Sequence, residues 1–159
     1  MTASWRPRSV SPVSSTPDIP FLRLSPHAVI PGRAHPGDAG LDLAAAEAVS
    51  LGPGERAAVP TGWAVAVPPG MAGLVVPRSG NALRHGLTVA NAPGLIDSGY
   101  RGELKVILIN LGPDPVDIGV GDRIAQLLIM PAPACAVVEA DELPDSDGRG
   151  EGGFGSSGS

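Results

Sequence analysis

Glycine and proline interrupt this chain so often that long helices are disfavoured before any motif is considered. There are 22 glycines and 18 prolines in 159 residues, and in a helix interior Gly costs about 1 kcal/mol and Pro about 3 kcal/mol relative to Ala. What lies between them is a series of short strand-like runs. These are Phe21–Leu24, Glu55–Val59, Gly62–Val67, Ala72–Val76, Gly86–Ala90, Leu104–Asn110, Pro115–Ile118, Ile124–Ile129 and Cys135–Glu139, with Pro60-Thr61 dividing the second from the third. Strand after strand with turn residues between them predicts an all-β sandwich or barrel. The exception is Ser79-Gly-Asn-Ala-Leu-Arg-His-Gly86, which suits a single short helix starting near Ser79 and capped by Gly86. Hydrophobic residues make up 43% but aromatics only 3%, so the core must be built from Val, Leu, Ile and Ala.

The length suits one domain. Residues 1–18 are rich in Ser, Pro and Thr without periodicity, which predicts a disordered extension. A β-rich domain is expected over 19–139. From 140 to 159 an acidic linker (Asp141, Glu142, Asp145, Asp147) leads into a Gly-rich arm. No apolar run is long enough to span a bilayer, and the basic N-terminus has no apolar segment behind it, so a secretory signal is not expected. The single Cys135 cannot form an internal disulfide; it points to a reducing cytoplasm and to a core-filling role. A net charge of -5 disfavours a sequence-independent grip on nucleic acid. An anionic small molecule stays possible where cations are concentrated locally. His27, His35 and His85 have no ligand spacing, so a structural metal site is not expected.

Five segments carry chemistry. Asn91-Ala-Pro-Gly-Leu-Ile-Asp-Ser-Gly-Tyr-Arg-Gly-Glu103 lies between two strand-like runs, so it reads as a hairpin holding Asp97 and Tyr100 at its tip. A fixed acid beside a flat ring could recognise a small molecule and activate water on it. Alone, the same stretch serves equally as a polar turn. Pro77-Arg-Ser-Gly80 places a guanidinium, a hydroxyl and a glycine N–H at a helix start, which suits phosphate as well as it suits a simple cap. Asp38-Ala-Gly-Leu-Asp-Leu43 alternates two acids with apolar residues; it fits a hard cation bound through water, or a polar-out strand edge. Gly121-Asp-Arg-Ile-Ala-Gln-Leu127 sets Asp122 and Gln126 around a strand start, with Asp122–Arg123 fitting a surface or interface pair. In the tail, Gly148-Arg-Gly-Glu-Gly-Gly153 matches a dinucleotide fingerprint, but the chain ends before the required helix. Arg149, Phe154 and the glycines could close over a nucleotide by phosphate contact and stacking; a Gly/Ser tail could equally be a solubiliser.

In this order the five segments resemble the motifs of the deoxyuridine triphosphate nucleotidohydrolases, the dUTPases, with the spacing of trimeric bacterial members. The matches are Asp38–Leu43, Pro77–Gly80, Asn91–Glu103, Gly121–Leu127 and Arg149–Gly158. The pattern departs at Asn81, where the family usually has leucine, and the N-terminal extension lies outside it. The resemblance implies a distorted jelly-roll β-barrel, a homotrimer with active sites shared between subunits, and hydrolysis of dUTP to dUMP and diphosphate. That reaction would limit uracil in DNA and supply dUMP for thymidylate synthesis. It further implies Asp97 as general base and Mg²⁺ on the phosphates, held by Asp42 through water. Arg78, Ser79, Gly80, Gln126, Arg149 and Ser156 would meet the phosphates, with Gly155 in the same arm. Asn91 and the backbone of Leu95, Ile96 and Asp97 would read uracil; Tyr100 would pack on the deoxyribose and Phe154 on the base. Lys105 matches a position near the substrate. The related dCTP deaminases would need a glutamate placed for attack on the base, and Asp97 with Tyr100 and the Arg149/Phe154 arm favour the dUTPase pattern.

Overall fold

The strand from Glu103 to Asn110 shows how the sequence builds its core. From Glu103 to Asn110, Leu104, Val106, Leu108 and Asn110 are buried, and the residues between them are not. That period of two is what a sheet packed on one face requires. Asn110 is the one polar side chain on this inner face. Its Nδ2 donates to the carbonyls of Leu51 (2.9 Å) and Asp114 (2.8 Å), and its Oδ1 accepts from Gly112 N at 2.8 Å. Burial therefore leaves it satisfied.

The computed structural model describes residues 18–142 and 144. In chain order the elements are β1 (Phe21–Arg23), β2 (Leu41–Ala44), β3 (Val49–Leu51), β4 (Arg56–Val65), β5 (Met71–Val76), α1 (Ser79–His85), β6 (Leu87–Val89), β7 (Gly94–Ile96), β8 (Glu103–Asn110), β9 (Val116–Ile118) and β10 (Arg123–Pro131). They form two four-stranded sheets, β1-β4-β8-β6 and β2-β10-β5-β7, and a two-stranded β3-β9 pair, all antiparallel. This is the all-β class expected, a distorted jelly roll with one short helix. The core between the sheets is aliphatic, with Leu43, Val59, Val65, Val106, Leu108 and Leu127 each no more than 2% exposed. Among the described residues, no helix is long and apolar enough to cross a membrane.

Three expectations need correction. The runs on either side of Pro60-Thr61 are one strand, β4, whose register with β8 shifts between Pro60 and Ala64. Gly62 sits in that shift at φ 73°, and a Cβ there would come within 2.7 Å of Ala28 Cβ. A bulge absorbs Pro60 and the turn residue without ending the strand. Cys135–Glu139 forms no strand. After β10 ends at Pro131, Pro133 follows at once, and no strand of the described chain offers these residues an edge. Cys135 is consequently exposed rather than in the core, and Val137 is 98% exposed. Finally, β6 and β8 pair as hairpin arms, but residues 90–102 are not a tight turn. They leave the first sheet, and β7 joins the second by pairing with β5. Gly73 on β5 makes this approach possible, since a Cβ there would lie 3.1 Å from Ile96 Cβ.

Candidate active site

Across the second sheet, Asp42 on β2 pairs with Gln126 on β10, which pairs with Val76 on β5. Directly paired residues project to the same face, so Arg78, two residues beyond Val76, returns to the face of Asp42 and Gln126. The contacts follow from this. Arg78 Nε donates to Asp42 Oδ1 at 3.1 Å and Gln126 Nε2 donates to the same oxygen at 3.3 Å. Gly40 leaves the space that the Gln126 side chain occupies, as a Cβ there would lie 3.1 Å from Gln126 Cβ.

Arg123 completes this hub, contrary to its expected pairing with Asp122. It is three residues from Gln126, so in a regular strand it would face the other way. The register of β10 against β2 shifts between Arg123 and Ala125, and the extra residue reverses its side. Arg123 Nη1 then donates to Asp42 Oδ2 at 3.0 Å. Asp122 turns back instead and accepts from Gly119 N at 2.7 Å. The Asp42 side chain is only 10% exposed, whereas Arg123 is 53% exposed. Two guanidinium groups on one carboxylate leave an unbalanced positive charge facing solvent, which suits an anion.

Beside the hub, α1 begins at Ser79 with Arg78 as its N-cap residue and ends at Gly86, which adopts φ 67°. The expected helix and cap are both present. Ser79 is exposed and Gly80 half-buried at its start. A cavity of about 440 Å³ opens between this helix and β9–β10, lined among others by Arg78, Asn81, His85, Asp117 and Arg123.

The other expected residues gather elsewhere. Asp97 follows β7 directly and is exposed. A turn closes on it, with Tyr100 N donating to Asp97 O at 3.0 Å. The Tyr100 hydroxyl donates to Glu103 O at 2.9 Å, and its ring covers Gly102, where a Cβ would lie 2.5 Å from that hydroxyl oxygen. Asn91 lies against Gly94, at 3.4 Å from the position a Cβ would take there. Leu95 is exposed and Ile96 half-buried; they belong to an edge strand, so one side of the β7 backbone has no strand partner among the described residues. Lys105 lies further along on β8, with its amine 3.6 Å from Glu103 Oε2.

These two groups do not meet within one chain. Ile96 pairs with Gly73, so the register carries Asp97 to the level of Ala72. Arg78 lies six residues further along the chain, two beyond the end of β5, which at the rise of a strand is about 20 Å. The remaining expected residues, Arg149, Phe154, Gly155 and Ser156, lie outside the described residues.

Among the described residues, Asp42 can accommodate a metal through water. Asp42 already accepts three donors of the four or so that a carboxylate can take. It has room for one water-borne donor, and direct ligation would require an arginine to leave. No group of three or more His, Cys, Asp or Glu side chains could hold a metal among the described residues. This donor set fits a magnesium ion that keeps its waters and is carried on an anionic ligand, and not a cage built by the protein. Asp38 does not alternate with Asp42 on a strand. It lies in the preceding loop, where its Oδ2 accepts from His35 N at 2.9 Å.

The dUTPase family model matches residues 26–158. The deoxyuridine 5'-triphosphate nucleotidohydrolase of Leifsonia xyli is 56% identical over 147 residues, covering 92% of this chain and 93% of that protein. Its namesake from Thermobifida fusca is 57% identical over 150 residues, covering 94% and 83%. Among solved structures, a mutant dUTPase of Staphylococcus bacteriophage 80alpha with dUpNHpp superposes with a TM-score of 0.85 at 32% identity, covering 91% of this chain and all (100%) of that one. A mutant dUTPase from phage phi11 of S. aureus, described as revealing the coordination of a structural Mg(II) ion, superposes with a TM-score of 0.76 at 29% identity, covering 81% and 100%.

Proposed function

Because this chain belongs to the dUTPase family, we propose that it hydrolyses dUTP to dUMP and diphosphate, with Asp97 activating the water. The observation that carries the residue assignments is the division of the site. A cationic hub of Arg78, Arg123 and Asp42 lies at one end of β5, and an acid with an aromatic ring lies at the other.

Asp97 is the general base. A water oxygen bonds to the α-phosphorus, its proton passes to the Asp97 carboxylate, and the bond from that phosphorus to the bridging oxygen of diphosphate breaks. A carboxylate is a modest base, so placement contributes much of the effect. Arg78, Ser79 and Gly80 bind phosphate oxygens, and Gln126 adds a neutral donor; such clamps account for most of the catalysis in phosphoryl transfer. The arm supplies Arg149 to the γ-phosphate with Gly155 and Ser156 beside it, and Phe154 stacks on the base. Asp42, beside Gln126, would hold one water of a bound Mg²⁺, which would offset the phosphate charge.

Base selection falls to the segment around β7. Asn91 and the free backbone edge of Leu95, Ile96 and Asp97 offer the alternating donors and acceptors that suit the edge of uracil. A base docked along this edge has to be without the thymine methyl. Tyr100, held over Gly102, packs on the deoxyribose and excludes a 2′-hydroxyl. Lys105 is a peripheral contact, because Glu103 already pairs with it.

The assembly is a homotrimer in which a hub from one subunit faces Asp97 of another. The separation of about 20 Å along β5 supports this, since one chain alone cannot close the site. The domain is 19–139, with residues 1–18 as an extension and 140–159 as linker and arm. Activity in the cytoplasm would keep uracil out of DNA and provide dUMP for thymidylate synthesis. Asp97→Asn tests the base assignment: turnover is lost while dUTP still binds. Near-normal turnover in that variant would sink it.

A further inference from the structure

We propose that Asn81 is a positioning residue that keeps α1 fastened to β10, so that Arg78 is free to bind phosphate. This rests on the reading of Arg78 as a phosphate ligand. Asn81 closes the start of the helix in two directions. Its backbone N–H donates to Arg78 O at 3.1 Å, and its side-chain Nδ2 donates across to Arg123 O at 3.0 Å. The same Arg123 carbonyl accepts Arg78 Nη1 at 3.3 Å. A carbonyl oxygen has two lone pairs, enough to accept both donors.

The sharing gives Asn81 its role. Arg78 is engaged through Nε on Asp42 and through Nη1 on Arg123 O. When Nη1 turns to a phosphate, Asn81 alone holds α1 against that carbonyl. With an apolar side chain at 81, the Arg78 guanidinium would be the remaining side-chain link from this turn to that carbonyl, and swinging it toward phosphate would give that link up. Binding would then compete with a structural contact, and affinity would fall while the chemical step stayed intact.

The test is steady-state kinetics with dUTP on the full chain. Asn81→Leu is expected to raise KM about fivefold, the loss of one hydrogen bond, with kcat within about twofold of wild type. Asn81→Gln keeps the amide donor and is expected to recover most of that loss. Arg78→Lys keeps the charge but loses the fork, and is expected to raise KM by itself. Adding Asn81→Leu to Arg78→Lys should then cost little more, because the competition is already gone. If Asn81→Leu leaves KM unchanged while Arg78→Lys raises it, or if the two effects simply multiply, the role of Asn81 is refuted and the phosphate reading stands. If Arg78→Lys leaves KM unchanged, the phosphate reading itself fails, and the proposal with it.

Discussion

Two inactive variants of this protein should restore each other. The prediction comes from the register of β5 with β7, which sets Asp97 level with Ala72, about 20 Å from Arg78. If the catalytic site needs both residues, it must take them from different chains. Arg78→Ala and Asp97→Asn chains should each be inactive alone. Unfolded together in equal amounts and refolded, they assemble at random. A site then draws its Arg78 from an Asp97→Asn chain half of the time, and its Asp97 from an Arg78→Ala chain half of the time. The product is about one quarter of wild-type activity per site. Either variant refolded with an equal amount of wild type should give about one half. The assay is diphosphate release from dUTP, normalised to total chain after oligomers are isolated by size. A site contained in one chain has no intact copy in the mixture of the two variants, so activity at background would mean that the sites are not shared between chains.

Gly102→Ala should force Tyr100 aside, because a Cβ would lie 2.5 Å from its hydroxyl oxygen. The ratio of kcat/KM for dUTP over UTP is expected to fall about tenfold; an unchanged ratio would show that Tyr100 does not select the sugar. Leu108→Ala removes a fully buried side chain from the centre of β8 and should cost about 2–5 kcal/mol in urea unfolding; a loss below that range would mean that the core collapses around the gap. Truncation after Gly148 should lower kcat/KM about 100-fold or more while the unfolding midpoint stays in place, and full activity would reduce the arm to a solubiliser.

Much of the fold could be read in the sequence because its signals are local. The alternation of β8 is set residue by residue, and the end of α1 is marked by Gly86, which alone tolerates φ 67° beside Gly112. The motifs single out Asp42 and Gln126, and the pairing of their strands brings these two side chains together. What escaped depends on partners distant in sequence. Gly94-Leu-Ile96 looks like part of a turn and becomes a strand only because β5 offers it an edge. The same dependence works in reverse for Cys135–Glu139, whose β-branched residues find no edge in the described chain. The contact of Arg123 with Asp42 is hidden for a subtler reason. The face of Arg123 depends on a one-residue bulge, and counting along a regular strand gives the opposite answer.

Conversion of dUTP to dUMP and diphosphate, with other nucleotides left alone, is the activity to be measured. The direct measurement is diphosphate release from dUTP, dCTP, dTTP, UTP and the other common nucleoside triphosphates, each with and without Mg²⁺. Release from dUTP should be fast and Mg²⁺-dependent, with dCTP, dTTP and UTP at least about 100-fold slower, as expected where each would meet an unpaired polar group or a clash. Comparable release from dTTP or UTP, or no release from dUTP, would contradict that expectation.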